Sequence, residues 1–537
     1  MIARLFSPFS PRAALLFILV AWAVAVASGI VQRWSYIGTM TEGHHQWLMA
    51  EETKFVEYWE RNGIWAERML TLESPKSIEA QTLHERIIYT SFLPGCTLQL
   101  YLAHQLFRDL PIPTLISFYG IAQQALMALI LGLLVWRMLE PRDRGGLALF
   151  FVSSAMLTYL FHPAPYYFHP MVHMGQISVL LPYVVALCLE YSLRRNDNPQ
   201  LHWWLALTTG WMAAHHWLFI PFCVMLCVFR VISPLAGQYD RGMLRGLVRT
   251  GLMIWTLPAI IVLAYAWNLY EVGMLQELFS RFMIRIGHST GEPAGPARVW
   301  KQFFVYTLGN SGWWLLAGGI VSLAFLVRDK RDPVAVVSCV SLLTGLLYVV
   351  LLPNDVVTHN FLQLIFFVPL CFVSFGIAPY RAIWRLHGGP RLASFSLMAF
   401  LWAFYLVHFR TDWPAWHQHR PPATQQLAEW LRANATYEDV YLTDSNSLEI
   451  ADNPPVPVAI SYKRVWLQPT PQALQAFAAK LPAAAKLHLV SKTDYAACFA
   501  PSAASTLPDG SHLYRIERLT TEQLDCLAAH WPKAAAR

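Results

Sequence analysis

The chain has 537 residues, 55% hydrophobic and only 14% charged, with 22 Trp and a formal net charge of +7. Such a composition excludes an ordinary soluble protein of this length and fits a multispanning membrane protein. No charge block, internal repeat or low-complexity tract stands out, and no nucleic-acid partner is expected.

A bilayer core takes ~20 apolar residues per helix. Arg4 and Arg12 ahead of the apolar run from Ala13 resemble a signal peptide, but the run is long and "SGIVQRW" is a poor cleavage site, so residues 1–31 are expected to remain as a first helix. Just beyond it, "GTMTEGHHQW" places Glu42, His44 and His45 at the end of a span. A carboxylate near the hydrocarbon boundary is costly unless it has a partner or a task. The first outer loop, residues 33–112, contains "EETKFVEYWERNGIWAERML", whose Phe55, Trp59, Ile64, Trp65 and Leu70 predict a helix lying at the interface.

The expected spans are 13–32, 113–136, 145–162, 177–193, 202–215, 217–231, 250–270, 312–327, 333–352, 361–379 and 392–409. Basic residues resist translocation, so Arg137, Arg142 and Arg144, Arg194 and Arg195, Arg230, Arg241, Arg245 and Arg249, Arg328, Lys330 and Arg331, and Arg381, Arg385 and Arg391 mark inner loops. Loops 163–176 and 353–360 contain no Lys or Arg. An inside N-terminus and an outside C-terminus follow. Residues 202–231 are short for two crossings, yet a single crossing would put every later basic loop outside, so two short helices meeting at "AAHHWLF" are expected, with His215 and His216 near the outer surface.

Polar residues gather on that outer rim. "FHPAPYYFHPMVHMGQ" supplies His162, His169 and His173, and "LLPNDVVTHNF" supplies Asp355 and His359. With Glu42, His44 and His45 these could line one substrate cavity, although His, Tyr and Trp also favour the membrane interface for their amphipathic rings. "LFSRFMIRIGHSTGEPAGPARVWKQF" adds Arg281, Arg285, His288 and Lys301 on the outside, against the charge rule. Guanidinium groups at an outer surface suit a phosphate headgroup, since they offer paired donors; nonspecific attraction to anionic lipid is the other reading.

After Phe409, "TQQLAEWLRANAT" and "TPQALQAFAAKLP" read as helices, and "EDVYLTD", "PVAISYKRVWL" and "KLHLVS" as strands. This gives a small outer α/β domain, residues 410–537, behind a transmembrane domain of residues 1–409. Cys498 and Cys526 both fall in it and could form a disulfide in an oxidising compartment, while Cys188, Cys223, Cys227, Cys339 and Cys371 sit in spans as small packing residues.

The layout resembles the GT-C superfamily of membrane glycosyltransferases. Its carriers are the first helix, a long outer loop opening on an acidic residue, "HERIIYTSFLPGCTLQLYLAHQLF" before the second helix, and "ATQQLAEWLRANATYEDVYLTDS" after the last span. The resemblance implies an all-α polytopic bundle with a C-terminal α/β domain. It also implies transfer of a sugar from a polyprenyl-phosphate carrier to a lipid, glycan or protein acceptor at the outer face of the cytoplasmic membrane. Glu42 matches the family's active-site acid, although the family often has Asp there and often a second acid close by. Members differ in metal dependence; Glu42, His44, His45 and Asp355 are a set able to hold a divalent ion.

A lipid phosphate is a good leaving group, so one base suffices to deprotonate the acceptor hydroxyl, and single displacement inverts the anomeric centre. Arg281, Arg285 or Lys301 would stabilise charge on the departing phosphate. The rivals are a multispan transporter or flippase, a polyprenyl-linked glycan ligase or polymerase, and a noncatalytic partner. The first would place ionisable groups near mid-membrane, where this chain shows mainly Gln123 and Gln124.

Overall fold

The computed structural model describes the chain outside residues 1–9, 40–43, 73–82, 87, 140–144, 172–173, 236–242, 288–299, 302–308, 359, 387, 412–429, 431–432, 435–438, 444–465, 468–485, 500–503, 508–509, 517–518 and 532–537. Helix α1 (Pro11–Arg33) starts where Ser10 accepts a hydrogen bond from the Ala13 amide at 3.2 Å, with Pro11 in the first turn, where no amide donor is needed. Helices α2 (His44–Asn62) and α3 (Gly95–Leu106) lie in the long segment between the first span and the second. There follow α4 (Ile112–Met138), α5 (Gly146–Phe161), α6 (Pro163–Met171), α7 (Gly175–Arg195), α8 (Pro199–His215), α9 (Phe219–Ile232) and α10 (Met243–Glu271). Helix α11 (Leu275–Arg285) precedes α12 (Gly309–Arg328), α13 (Pro333–Leu351), α14 (Pro353–Thr358), α15 (Leu364–Trp384) and α16 (Gly388–Thr411).

All eleven expected spans fall on helices. Among the described residues eight helices are long and apolar enough to cross a bilayer, and α5 with α6, bent by 51°, counts as a ninth. Helices α8 and α9 are the two shorter ones, and the chain breaks between them at His216, as the "AAHHWLF" reading requires. The protein is a multi-pass membrane protein.

One expectation needs correction. Residues 163–176 are not an open rim loop: Pro163–Met171 is a buried helix. Three prolines in nine residues suggest a loop, but Pro163 and Pro165 occupy the first turn, whose amides have no partners within the helix anyway. The His162 ring then caps it, its Nδ1 accepting from the Ala164 amide at 3.2 Å. Helix α2 is packed more deeply than its amphipathic pattern alone suggests. Phe55 and Trp59 are buried, but so are Glu51, Glu52, Thr53 and Lys54, so the helix is enclosed on nearly all sides; Trp65, just past its end, is 79% exposed.

Several polar groups within the bundle are held by hydrogen bonds. The Arg33 guanidinium donates to Gln124 Oε1 at 2.8 Å and to the Tyr166 carbonyl at 3.1 Å, while the Gln123 amide donates to the Ser178 carbonyl at 2.9 Å. At the other end of the helices Arg194 and Arg230 close on the buried Glu190; Arg194 Nε lies 2.6 Å from Glu190 Oε1. These two are therefore not free loop cations. Within α15, Leu370–Ile377 is π-helical, and its Phe375 carbonyl accepts from Ser154 of α5 at 2.9 Å, a side-chain bond that fits the displaced carbonyl register of such a segment.

The C-terminal region holds a five-stranded mixed sheet in the order β2-β1-β3-β5-β4, with β1 (Val440–Thr443), β2 (Trp466–Leu467), β3 (Leu487–Ser491), β4 (Ala504–Thr506) and β5 (His512–Ile516). Strands β2, β1 and β3 are parallel, and β5 and β4 add antiparallel pairings. The first three match strands expected from sequence; β4, β5 and α17 (Thr521–His530) were not expected. A capping box starts α17, and a disulfide joins its Cys526 to Cys498. Most of the two helices expected at 424–436 and 470–482 lies outside the described residues.

Candidate active site

One end of the bundle is organised by the segment between α2 and α3. Glu67 and Arg86, both buried, pair at 2.8 Å, and the Trp59 indole donates to the Leu70 carbonyl at 2.8 Å, which folds the loop back onto α2. Glu52 is 2% exposed. Its Oε2 accepts from the Thr97 hydroxyl at 2.8 Å and its Oε1 from the Cys96 thiol at 3.3 Å, so this carboxylate ties α2 to α3. Burial pushes its pKa up to about 8, although the Thr97 and Cys96 hydrogen bonds pull the other way. Nothing in the sequence singled Glu52 out; a charge inside an amphipathic pattern reads as its solvated face.

The start of α3 and the end of α8 meet at unusually close range. A Cβ on Gly95 would lie 2.4 Å from the Ala214 carbonyl, and one on Gly175 2.2 Å from that of His215, so only glycine fits at either place. This fixes His216, whose Nδ1 accepts from the Leu218 amide at 3.2 Å. A neutral ring then carries its proton on Nε2. That atom lies 3.4 Å from the Tyr348 hydroxyl and 3.8 Å from Asp355 Oδ2.

Asp355 is the centre of the group. It is 1% exposed, accepts a hydrogen bond from Tyr348 and pairs with Arg285, the last residue of α11. The Arg285 guanidinium lies over the Phe92 ring at 4.9 Å, and Phe92 packs against His216 with centroids 5.2 Å apart. Burial lowers the Arg285 pKa from its ordinary value, opposed by Tyr89 and Tyr348; its side chain is 11% exposed, so one edge reaches the surface. Asn354, beside Asp355, donates to the Ile284 carbonyl at 2.7 Å and secures α11 against α14.

Two residues expected in different roles, Arg285 for donor phosphate and Asp355 for the cavity, are therefore partners. Arg281 lies one turn earlier on the same helix, exposed and bonded to Glu277 at 2.7 Å. His169 is fully buried and its Nε2 lies 2.8 Å from the Tyr159 hydroxyl, a packed position. Lys301 is helical and exposed. Glu42, His173, His288 and His359 lie outside the described residues, as do the side chains of His44 and His45, whose backbone opens α2. His216, Phe92 and Tyr348 were not among the expected site residues; the sequence placed His216 at the outer surface but gave it no role.

Of the expected metal set, Asp355 already faces a guanidinium and a phenol, and a divalent ion there would displace the former. Cys498, Cys526 and His530 also come together, but the two sulfurs are bonded to each other and offer no thiolate. An apolar groove of about 480 Å³ runs between α12 and α13, lined by Leu315, Ile320, Leu342, Leu346 and Phe366, with Trp300 beside Lys301 at its edge.

No protein-family model matches the chain, and no curated protein matches it. Solved structures do. ArnT from Cupriavidus metallidurans bound to undecaprenyl phosphate aligns with a TM-score of 0.55 at 11% identity, over 94% of this chain and 97% of that one; its apo form gives 0.56 at 12%, over 97% and 100%. The Archaeoglobus fulgidus oligosaccharyltransferase in complex with Zn and sulfate gives 0.56 at 13%, over 90% of this chain and 68% of that one. Archaeoglobus fulgidus AglB with an inhibitory peptide and a dolichol-phosphate gives 0.52 at 10%, over 89% and 69%. The chain has the fold of these solved structures, an all-helical membrane bundle with a small C-terminal mixed sheet, as its layout led us to expect.

Proposed function

We propose that the protein is a GT-C type glycosyltransferase that moves a sugar from a polyprenyl-phosphate carrier to an acceptor at the outer face of the cytoplasmic membrane. The observation that carries this reading is Arg285, a guanidinium aimed by a buried carboxylate and an aromatic ring at the end of the bundle where the long loop packs. A guanidinium has five N–H donors, so contact with Asp355 through Nη1 orients the fork while its outer edge meets a phosphate. Lys301 supplements it. The apolar groove between α12 and α13 takes the carrier's tail. The family resemblance assigns Glu42 as the base for the acceptor hydroxyl, with His44 and His45 positioning it, the acceptor or a divalent ion. The disulfide supports an outer C-terminal domain, because such bonds persist in oxidising compartments.

Purified protein, a radiolabelled polyprenyl-phosphate sugar and Arg285→Gln test this. Donor binding should weaken about tenfold or more, in line with ~1.5–3 kcal/mol for a hydrogen bond to a charged group. Unchanged donor affinity in that variant would leave only nonspecific lipid attraction. A polyprenyl-linked glycan ligase or polymerase would share the phosphate site and the base, and differs in releasing a longer glycan.

A further inference from the structure

Away from this site, at the opposite ends of α4 and α7, lies a cavity of about 440 Å³ lined by Arg137, Tyr191, Ser192, Arg195, Asn196 and Leu201. Helix α4 leaves the outer loop at Ile112 and reaches Arg137 in its last turn; α7 ends at Arg195. The cavity thus sits at the depth where the inner lipid headgroups meet the protein, on the side the basic loops mark. Two guanidinium groups line it and, among the described residues, no carboxylate does. It is also pre-ordered: the Tyr191 hydroxyl donates to the Arg137 carbonyl at 2.8 Å, and Arg195 Nη1 donates to the Tyr191 oxygen at 3.3 Å. The acids nearest to Arg195 in sequence are engaged elsewhere, Glu190 with Arg194 and Arg230, and Asp197 with His202 at 2.7 Å.

We infer that this cavity binds a phosphate-bearing anion, the headgroup of an anionic phospholipid of the inner leaflet. Paired guanidinium groups match phosphate oxygens, Ser192 and Asn196 add polar atoms at the rim, and basic pockets between transmembrane helices on the cytoplasmic side are suited to such headgroups. The site would fasten α4 to α7 from the lipid side and is independent of the proposed transfer reaction.

The full chain in a zwitterionic detergent is titrated with short-chain phosphatidylglycerol, phosphatidylcholine and inorganic phosphate, following bound lipid by native mass spectrometry and stability by thermal unfolding. Saturable phosphatidylglycerol binding that raises the melting temperature, with phosphatidylcholine inert, is the expected result. Arg137→Gln with Arg195→Gln should weaken that binding about tenfold. Should the double variant fail to fold, Arg137→Gln alone, at an exposed residue, reads the same loss. Equal phosphatidylglycerol binding by variant and parent would overturn the site. Inorganic phosphate binding as tightly as the lipid would overturn the headgroup and assign the cavity to a free phosphate.

Discussion

Arg285 and Asp355 come from segments far apart in the chain, one ending α11 and the other in α14, and meet as a buried ion pair beside Tyr348, His216 and Phe92. Removing one partner of such a pair leaves the other charged and unpaired, at about 3–5 kcal/mol. Arg285→Ala should therefore both lower the melting temperature and weaken donor binding. Arg285→Ala with Asp355→Ala should regain most of the stability and none of the donor affinity. If affinity returned along with stability, Arg285 would be a structural residue only.

Glu42→Gln keeps the shape of the side chain and loses the base. Turnover should fall by ~10²-fold or more, while insertion and donor binding persist. Near-normal turnover in a single-turnover assay would remove Glu42 from the mechanism. The pairing of Asp355 with Arg285 makes it a poor substitute, since a carboxylate neutralised by a guanidinium is a weak base.

Glu52 sets a pH dependence. Its pKa is raised from 4.5 to about 8 on folding, so the folded state holds a proton that the unfolded state has lost. The stabilisation is fully present below about 4.5 and is lost as pH rises through 8. Thermal unfolding of Glu52→Gln between those limits should show a flatter pH profile than the parent, with the two curves closest at acid pH. Parallel curves would mean that Glu52 is ionised throughout.

The disulfide closes a segment with a sequence separation of 28, for which chain entropy gives roughly 3.6 kcal/mol. Cys498→Ser should make the C-terminal domain susceptible to limited proteolysis while the helical bundle remains intact. A reporter fused after Phe409 and active only in the cytoplasm would contradict both the disulfide's compartment and the proposed orientation.

The spans were legible because the bilayer demands long apolar runs, and even the break at His216 followed from counting basic loops on either side of it. The pairing of Arg285 with Asp355 was half legible: each residue was chosen for its chemistry, but nothing local in either segment says that they touch. Glu52 was hidden for the opposite reason. Its pattern is that of a solvated charge, and only the packing of α2 against α3, with Thr97 and Cys96 in reach, shows that it is enclosed. The helix at 163–171 was hidden by its prolines, whose helical use depends on their position within the turn.

Glu190, Arg194 and Arg230 have a consequence for biogenesis. Arginines at helix ends orient a nascent chain as each segment enters the bilayer, before distant helices have packed. In the finished fold these two guanidinium groups close on one buried carboxylate and latch α7 to α9. One set of charges is thus read twice, first as an address and later as a clasp. Glu190→Gln would spare the first reading and spoil the second: every segment would face the right way, yet the protein would stall as an immature, protease-sensitive intermediate.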